Sequence, residues 1–455
     1  MDGSELVRVR PALQAFAEQV FAGFARSDQR ETGLRYLRGL MLDGRRKSMQ
    51  PMAARLGVDH QQLQQFLTSS TWDVVGVRRR LADLALQVIV PTVWVVDDTG
   101  FGKDGVASAC VARQYCGTFG KVANCQIGVS IHAATDTASA VLDWRLFVPE
   151  SWDETCVPGP DGQVSNPHAR RLRERDATLD EAGHKKPQTR KKLPPAEQIT
   201  LIGQRRSACR IPQDERYRPK WMMALEMLDE LAGWGHRPPV LVGDAGYGQV
   251  AEFRDSLTAR GIRYVLATTS TTTAYPADVA PTTVPYAGRG RPSRPRYRQT
   301  APTIKDLVLA HGRAGTHRVR WRTGSRTDAD HPTGDLAGHF LALRVRPAGR
   351  HVARDSDGLL PERWLLVEWP PDAAEPSDYW LSDLPPDTPL TTLVGYAKAR
   401  WRLEHDYREQ KTGLGLAHFE GRSWIGWHRH VTLVAAAQLF LTTLRVNDPK
   451  APGQN

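Results

Sequence analysis

Val93-Trp94-Val95-Val96-Asp97-Asp98-Thr99-Gly100 is the stretch that decides the fold, because an apolar run leads directly into two carboxylates. Such a run predicts a buried strand that carries the acids to its end. A second apolar run, Val240-Leu241-Val242-Gly243, leads into Asp244 in the same way. Buried strands that end in acids and alternate with helical patterns predict an α/β fold with an acidic site at one sheet edge.

Residues 1–90, upstream of this strand, show helical spacing of apolar residues only. Within them, residues 49–58 and 61–67 have the form helix, glycine-containing turn, helix. Arg45, Arg46 and Lys47 precede this pattern, which favours a helix-turn-helix that contacts DNA. A plain helical hairpin with solvated glutamines explains the same residues equally well.

The rest of the chain divides by pattern. Residues 126–134 and 138–148 predict an antiparallel hairpin beside the first strand. Residues 151–215 are polar and basic, which predicts loops with a short helix. We therefore predict a helical N-terminal DNA-binding domain (1–90), a first core part (91–269, including the basic loop region 151–215), a β-rich insertion subdomain (270–390), C-terminal core helices (391–446) and a tail (447–455).

The overall charge favours a polyanionic partner. The chain has 61 Lys and Arg against 50 Asp and Glu, a net charge of +11, so nucleic acid is the expected partner. No apolar run has the length of a membrane span, and the first residues lack a signal-peptide pattern. We expect a protein of a bacterial cytoplasm, located at the chromosome and not at a membrane.

The cysteines favour reduced thiols. The chain has 5 cysteines, an odd number, and no pair of them is spaced as C-x-x-C. A zinc site built from Cys110, Cys116 and Cys125 with a histidine is the alternative, but their irregular spacing favours buried or idle thiols.

A third acid comes from a predicted helix near the C-terminus. An α-helix advances about 100° per residue, so residues 396–411 taken as one helix place a mixed stripe within about 40° of Arg400. A carboxylate among guanidinium, ammonium and phenol groups suits a metal ligand flanked by phosphate-binding side chains. A solvated ion pair between Arg400 and Glu404 is the alternative interpretation. The stripe consists of Tyr396, Arg400, Glu404, Tyr407 and Lys411.

Asp97, Asp244 and Glu404 together predict a three-carboxylate site for two divalent ions. One ion would activate the attacking water or 3′-hydroxyl, and the other would stabilise the leaving oxygen. Carboxylates so close together would take up protons unless a cation lay between them. Asp98 is the alternative first ligand, although strand alternation favours Asp97.

At this point the chain resembles a known family, the bacterial insertion-sequence DDE transposases, in the hairpin-type branch that has a β-rich insertion between the second aspartate and the glutamate. That branch has a strand ending D-x-T or D-x-S, a second ending D-x-x-Y, and a helix reading Y-x2-R-x3-E-x6-K. The matching residues are Asp97-Asp98-Thr99 for the first motif, Asp244-Ala245-Gly246-Tyr247 for the second, and Arg400, Glu404 and Lys411 for the third.

One residue departs from the third motif. Tyr396 stands one position before the place of the motif's tyrosine, and Tyr407 on the same predicted stripe is its candidate substitute. The resemblance assigns Arg400 and Lys411 to gripping DNA near the scissile phosphate, together with these tyrosines and Tyr247.

The resemblance implies a ribonuclease H-like catalytic core that uses Mg²⁺ or Mn²⁺. It also implies cut-and-paste chemistry on double-stranded DNA, in which terminal inverted repeats are cleaved and joined to target DNA by a homodimer. If excision passes through a DNA hairpin, one aromatic of the insertion would stack on a flipped base. The candidates are Trp321, Trp364, Trp369 and Trp380.

Two further clusters have alternative interpretations. Arg289 and Arg291, in a Gly-Arg-Gly-Arg-Pro segment, resemble a hook for the DNA minor groove, but a flexible loop that contacts phosphates is the favoured interpretation. For His418, His428 and His430, packing is favoured over metal binding.

Two other functions remain as alternatives. A domesticated descendant could bind DNA as a regulator through the helix-turn-helix candidate alone. A site-specific nuclease without strand transfer would share every catalytic residue.

Overall fold

A computed structural model describes residues 7–159, 162–169, 193–283, 295–323 and 335–447. The helices before the first strand are α1 (Arg10–Val20), α2 (Ser27–Met41), α3 (Met49–Leu56), α4 (His60–Thr68) and α5 (Val74–Val88). Gly57 ends α3 with a left-handed φ of 67°, which glycine adopts without strain, and Asp59 caps α4. The predicted local form of helix, glycine turn and helix is therefore confirmed.

A mixed sheet follows these helices. Its strands are β1 (Val93–Gly102), β2 (Ala112–Cys116), β3 (Lys121–Ala134), β4 (Ser139–Leu146), β5 (Leu241–Gly243) and β6 (Tyr264–Thr268). The order in space is β4-β3-β1-β5-β6, in which β3 is antiparallel to β1 and β4, and β1, β5 and β6 are parallel. The predicted hairpin of β3 and β4 is confirmed. The predicted end of β1 is wrong, because pairing with β3 carries β1 on to Gly102 and leaves Asp97 inside the strand.

The segment expected to be loops and a short helix contains the 15-residue helix α6 (Pro195–Cys209). Its apolar periodicity is weak because a buried arginine takes one place on its inner face. Arg206 is 5% exposed and donates hydrogen bonds to the carbonyl oxygens of Trp152, Pro212 and Glu215. Residues 170–192, which carry much of the predicted basic loop, lie outside the described residues. Further along are α7 (Lys220–Gly233), α8 (Ala245–Gly248) and α9 (Ala251–Ala259).

The β-rich segment extends the same sheet. It contains β7 (Thr273–Pro276), α10 (Ile304–His311), β8 (His317–Thr323), β9 (Asp335–Ala348), β10 (Arg363–Glu368) and β11 (Asp378–Ser382). β11 pairs antiparallel with β6, so the sheet continues in the order β6-β11-β10-β9-β7, with β8 also on β9. The added strands therefore abut the edge of the acidic core through backbone hydrogen bonds.

The C-terminal helices close the fold. They are α11 (Leu390–Lys398), α12 (Trp401–Arg408) and α13 (Trp424–Asn447). α13 is buried almost all round, because β4 covers one side and α2 and α5 cover another. Arg429 of α13 donates to the carbonyl oxygens of Leu67, Ser70 and Trp72. The N-terminal helices and the sheet consequently share one hydrophobic core. In the described parts of the chain, no helix is both long and apolar enough to span a bilayer.

Candidate functional site: an acidic cluster around Arg400

Backbone register brings the two aspartates together. Val96 of β1 pairs with Gly243 of β5 in parallel, so Asp97 and Asp244, the next residues of their chains, lie side by side at about the 4.8 Å spacing of neighbouring strands. Asp244 also caps α8, because its Oδ1 accepts from the backbone N–H of Gly246 at 2.9 Å.

Burial and crowding raise the pKa of both carboxyls. Asp97 is 7% exposed, and burial raises its pKa to about 7; Arg400 opposes the shift, while Asp244 and Asp98 add to it. Burial and then the charge of Asp98 raise the pKa of Asp244 as well. The surroundings of the two aspartates thus disfavour several negative charges unless a cation compensates them.

Glu404 joins this cluster through Arg400. The guanidinium donates from Nη1 to Asp97 Oδ2 and from Nη2 to Glu404 Oε1, each at 3.0 Å. The Glu404 side chain is 61% exposed, so it forms the open side of the cluster. The i,i+4 pair that was the alternative interpretation exists, and the same arginine also bridges to the strand acid.

The helix that carries Glu404 is not continuous. Ala399 and Arg400 form a turn between α11 and α12, and a π-helical turn follows at Glu409–Gly413. Hydrogen bonds between residues three apart, from Arg402 N–H to Ala399 O and from Leu403 N–H to Arg400 O, tighten the junction. The assumption of one helix over residues 396–411 is therefore wrong. The angles computed for one continuous α-helix therefore do not apply across the turn at Ala399 and Arg400 or beyond Glu409.

The oxygen donors suit a hard divalent cation, since Mg²⁺ and Mn²⁺ prefer carboxylate ligands. Among the described residues, no three Asp, Glu, His or Cys side chains are yet arranged to hold one ion. The Arg400 guanidinium instead supplies the positive charge between Asp97 and Glu404. The donor chemistry and the raised pKa of the aspartates fit a cation at this position.

Asp98 belongs to the other face of β1. Its Oδ2 accepts from Lys220 Nζ at 2.7 Å, at the start of α7. Successive strand residues point to opposite faces, which explains why Asp97 meets Arg400 and Asp98 does not. Asp98 is still near enough to raise the pKa of Asp244.

Lys411 faces the protein. Its Nζ donates to Thr99 Oγ1 at 2.7 Å, to Thr118 Oγ1 at 2.8 Å and to Gly100 O at 3.0 Å. Burial lowers its pKa to about 8. Lys411 thus braces β1 two residues beyond Asp97.

Three residues predicted to contact DNA are buried. The Tyr407 hydroxyl lies 2.7 Å from Ser130 Oγ, so this tyrosine packs and does not substitute for the motif's tyrosine. Tyr247 is 3% exposed, and its hydroxyl has no hydrogen-bond partner among the described residues. Lys47 is also 3% exposed; its ammonium donates to the carbonyl of Leu40, and burial lowers its pKa to about 8. The prediction that these three side chains are exposed to contact DNA is therefore corrected. They are buried, and their role is structural.

The other predicted DNA contacts differ in exposure. Arg45 and Arg46 are exposed, and Tyr396 is half-buried. Arg289 and Arg291 lie outside the described residues. Of the insertion tryptophans, Trp369 and Trp380 are buried and Trp321 and Trp364 are half-buried.

The remaining histidine and cysteine candidates pack inside the protein. His428 and His430 are buried within α13, and burial lowers their pKa values to about 3 and about 4. Cys110, Cys116 and Cys125 are buried free thiols. No group of metal-ligating side chains occurs around them in the described ranges.

A buried polar network beneath the acids was not predicted. His132 Nδ1 lies 3.2 Å from Asp406 Oδ2, and its Nε2 lies 3.0 Å from Ser130 Oγ. Ser139 Oγ donates to Asp406 Oδ1 at 2.6 Å. Asp406 is two residues after Glu404, so the network fixes α12 on β3 and β4. The polar residues Ser130 and His132, within the otherwise apolar second half of β3 (127–134), are the signal that sequence reasoning missed.

Comparisons with known proteins give two family matches and one similar protein. The family described as DDE superfamily endonuclease matches residues 19–328. The family described as transposase DDE domain matches residues 222–440. A protein of Microchaete diplosiphon named "Probable transposase for insertion sequence element IS701" is 37% identical over 114 residues. That alignment covers 24% of this chain and 30% of the relative, so it spans under a third of either protein.

Proposed function

This chain belongs to the DDE superfamily endonucleases, and from that premise we propose that it is a DNA transposase. It cleaves double-stranded DNA at the terminal inverted repeats of its element and joins the ends to target DNA. The observation that carries the proposal is Arg400, which bridges Asp97 and Glu404 beside Asp244. The match to a transposase DDE domain and the partial likeness to a named transposase support the same function.

A ribonuclease H-like core is the proposed architecture. Its support is the strand order β4-β3-β1-β5-β6, in which an antiparallel unit continues into parallel strands. The first acid lies on the central strand β1, and the second follows its parallel neighbour β5. Neighbouring parallel strands whose ends meet at one edge of a sheet can gather metal-binding acids.

Asp97, Asp244 and Glu404 are the residues that would hold the divalent cations, Mg²⁺ or Mn²⁺, and two ions are proposed. When bound, such ions activate the attacking hydroxyl and stabilise the leaving oxygen of a phosphodiester. With the ions bound, Arg400 would no longer bridge the carboxylates, and its guanidinium would be free to pair with a DNA phosphate, for which its geometry is suited. Lys411 holds Thr99 and Gly100 and so keeps β1 aligned beneath Asp97.

The N-terminal helices are proposed to recognise the element's ends. The side chains of Gln61, Gln62, Gln64 and Gln65 are exposed along α4, and Arg45 and Arg46 are exposed before α3. Amides can read base edges, and arginines can neutralise phosphates. Binding two ends together calls for a homodimer on DNA, and the site of action is the bacterial chromosome.

The test is cleavage and joining of DNA that carries the element's own ends. Purified protein with Mg²⁺ should nick the ends and produce joined products, and Glu404→Gln should bind the same DNA without cutting it. Cleavage retained by that variant would remove Glu404 from the site. Nicking without joined products would identify a nuclease. Binding without any cleavage would favour a DNA-binding regulator, which the exposed glutamines of α4 support.

A further inference from the structure

The ammonium of Lys398 lies among side chains from four strands of the β-rich segment. Lys398 is the last residue of α11, and its Nζ pairs with Glu368 Oε2 at the end of β10. The same Nζ lies over the rings of Trp321 of β8, Phe340 of β9 and Trp380 of β11, at 5.9, 5.6 and 5.4 Å from their centroids. The negative faces of aromatic rings attract a cation. Lys398 therefore anchors the end of α11 to four strands.

A β-bulge in β8 directs two neighbouring side chains toward the helices. The pairing of β8 with β9 shifts between Arg320 and Arg322, so Trp321 is the extra residue of the bulge. Consecutive residues of a regular strand point to opposite faces. Here Trp321 faces Lys398. The Arg322 guanidinium stacks on the ring of Trp401, with Cζ 3.6 Å from the ring centre. The β-rich segment thus has a second contact, at the first residue of α12.

These two contacts flank the turn that carries Arg400. Lys398 and Trp401 stand on either side of Ala399 and Arg400, which join α11 to α12. Arg400 bridges the strand acid to Glu404. Because the two helices are not continuous, helix geometry alone does not set the direction in which α12 leaves the turn. Contacts on both sides of the turn can set it.

We propose that Lys398 is a positioning residue, through which the β-rich segment sets the place of Arg400 and Glu404 in the acidic cluster. The inference rests on the proposed function, in which that cluster cleaves DNA. Trp321 and Trp380 serve this role without contacting DNA. The alternative is that Lys398 only adds to the stability of the whole fold. The two roles differ in which part of the protein a variant loosens.

Hydrogen exchange of the full-length protein tests the positioning. Lys398→Met keeps the length of the side chain and removes its charge. Amides of residues 400–408 should then exchange about tenfold faster, since the lost cation contacts favour the closed form by about that factor. Amides of β1 should keep the parent's rate. Lys398→Met combined with Glu368→Gln should give the same pattern, which shows that an unpaired carboxylate is not its cause.

Cleavage of end DNA measures the consequence for the site. At saturating DNA, and at a temperature where the protein stays folded, Lys398→Met should lower the single-turnover rate by about 10²-fold. That is the loss expected when a reacting group is misplaced by about 1 Å. DNA affinity should not change. Lys398→Arg should recover most of the rate, because a guanidinium keeps the positive charge over the rings.

Lys305→Met is the matched control. Lys305 Nζ pairs with Glu375 Oε2 at 2.6 Å, and both residues belong to the β-rich segment. This variant should change neither the exchange of residues 400–408 nor the cleavage rate.

Three results would overturn the positioning role. They are parent-like exchange of residues 400–408 in both Lys398→Met proteins, faster exchange spread equally over β1 and α12, and full-rate cleavage by Lys398→Met. Failure of the parent to cleave end DNA would instead remove the transposase proposal. The exchange pattern would then still decide whether Lys398 positions Arg400.

Discussion

The strand half and the helix half of the acidic cluster are built in different ways. Backbone register fixes Asp97 and Asp244, because β1 and β5 are hydrogen-bonded up to the residues before them. Glu404 instead sits on the short helix α12 between an irregular turn and a π-helical turn. Its position depends on side chains, namely Arg400 above it and the Asp406 network below it. The strand acids are therefore the rigid half of the site, and Glu404 is the adjustable half.

The largest expected effect comes from the rigid half. Asp97→Asn or Asp244→Asn should lower the cleavage rate by about 10⁴-fold or more, the usual loss when a central catalytic group is removed. Asp98→Asn should cost about tenfold or less, since its partner is Lys220 on the other face. Single-turnover cleavage of end DNA measures all three. A larger loss for Asp98→Asn than for Asp97→Asn would reverse the choice of ligand.

The second prediction concerns the side chains that position Glu404. Asp406→Ala removes the partner of the buried His132 and Ser139, which should lower the free energy of unfolding by about 3 kcal/mol. Cleavage at a temperature where the protein stays folded should also fall, while DNA affinity is retained. Asp387→Ala, at an exposed carboxylate, is the control and should change stability by no more than about 0.5 kcal/mol. Full cleavage by folded Asp406→Ala would show that the network does not position Glu404.

The strand half followed from the sequence because its information is local. A run such as Val93–Val96 predicts the strand and identifies the residue that follows the run. Parallel pairing of two such strands then brings their acids together. The burial of three predicted DNA contacts did not follow from the sequence. Lys47, Tyr247 and Tyr407 are residue types that commonly contact DNA. Their burial depends on tertiary packing. The break before α12 also could not be predicted from the sequence. No proline interrupts residues 396–411, and the junction is held by backbone hydrogen bonds between residues three apart.

The pairing that extends the sheet also could not be predicted from the sequence. The β-rich character of residues 270–390 could be read from their pattern. That β11 pairs with β6, and so joins them to the core, depends on contacts far apart in the chain.

A buried histidine of the C-terminal helix α13 should make the stability of the protein sensitive to acid. His430 Nδ1 lies 2.9 Å from the Tyr36 hydroxyl and Nε2 lies 3.1 Å from Gly415 O, and burial lowers its pKa from 6.5 to about 4. The unfolded chain therefore takes up the proton first. Stability should be fully present above about pH 6.5 and decline as the pH falls toward 4, by about 2 kcal/mol near pH 5 from this residue.

Chemical denaturation across this pH range measures that loss. His430→Gln should flatten the dependence by about the stated amount. An equal slope in His430→Gln and the parent would contradict a neutral, buried His430.

The smallest effect separates an exposed cation from a buried one. Arg46→Ala should reduce the salt dependence of DNA binding by about one phosphate contact. Lys47→Met should leave the salt dependence unchanged, because its ammonium is bound to carbonyl oxygens inside the protein. Binding isotherms at several salt concentrations compare the two. A lower slope for Lys47→Met would mean that this lysine swings out to meet DNA.

The most direct measurement of the central claim is anomalous diffraction from crystals of the protein bound to end DNA and soaked in Mn²⁺. We expect manganese peaks in bonding contact with the carboxylates of Asp97, Asp244 and Glu404, with Arg400 turned from the acids toward a DNA phosphate. Manganese bound elsewhere, or Arg400 still bridging Asp97 and Glu404 while DNA and metal are bound, would contradict the account.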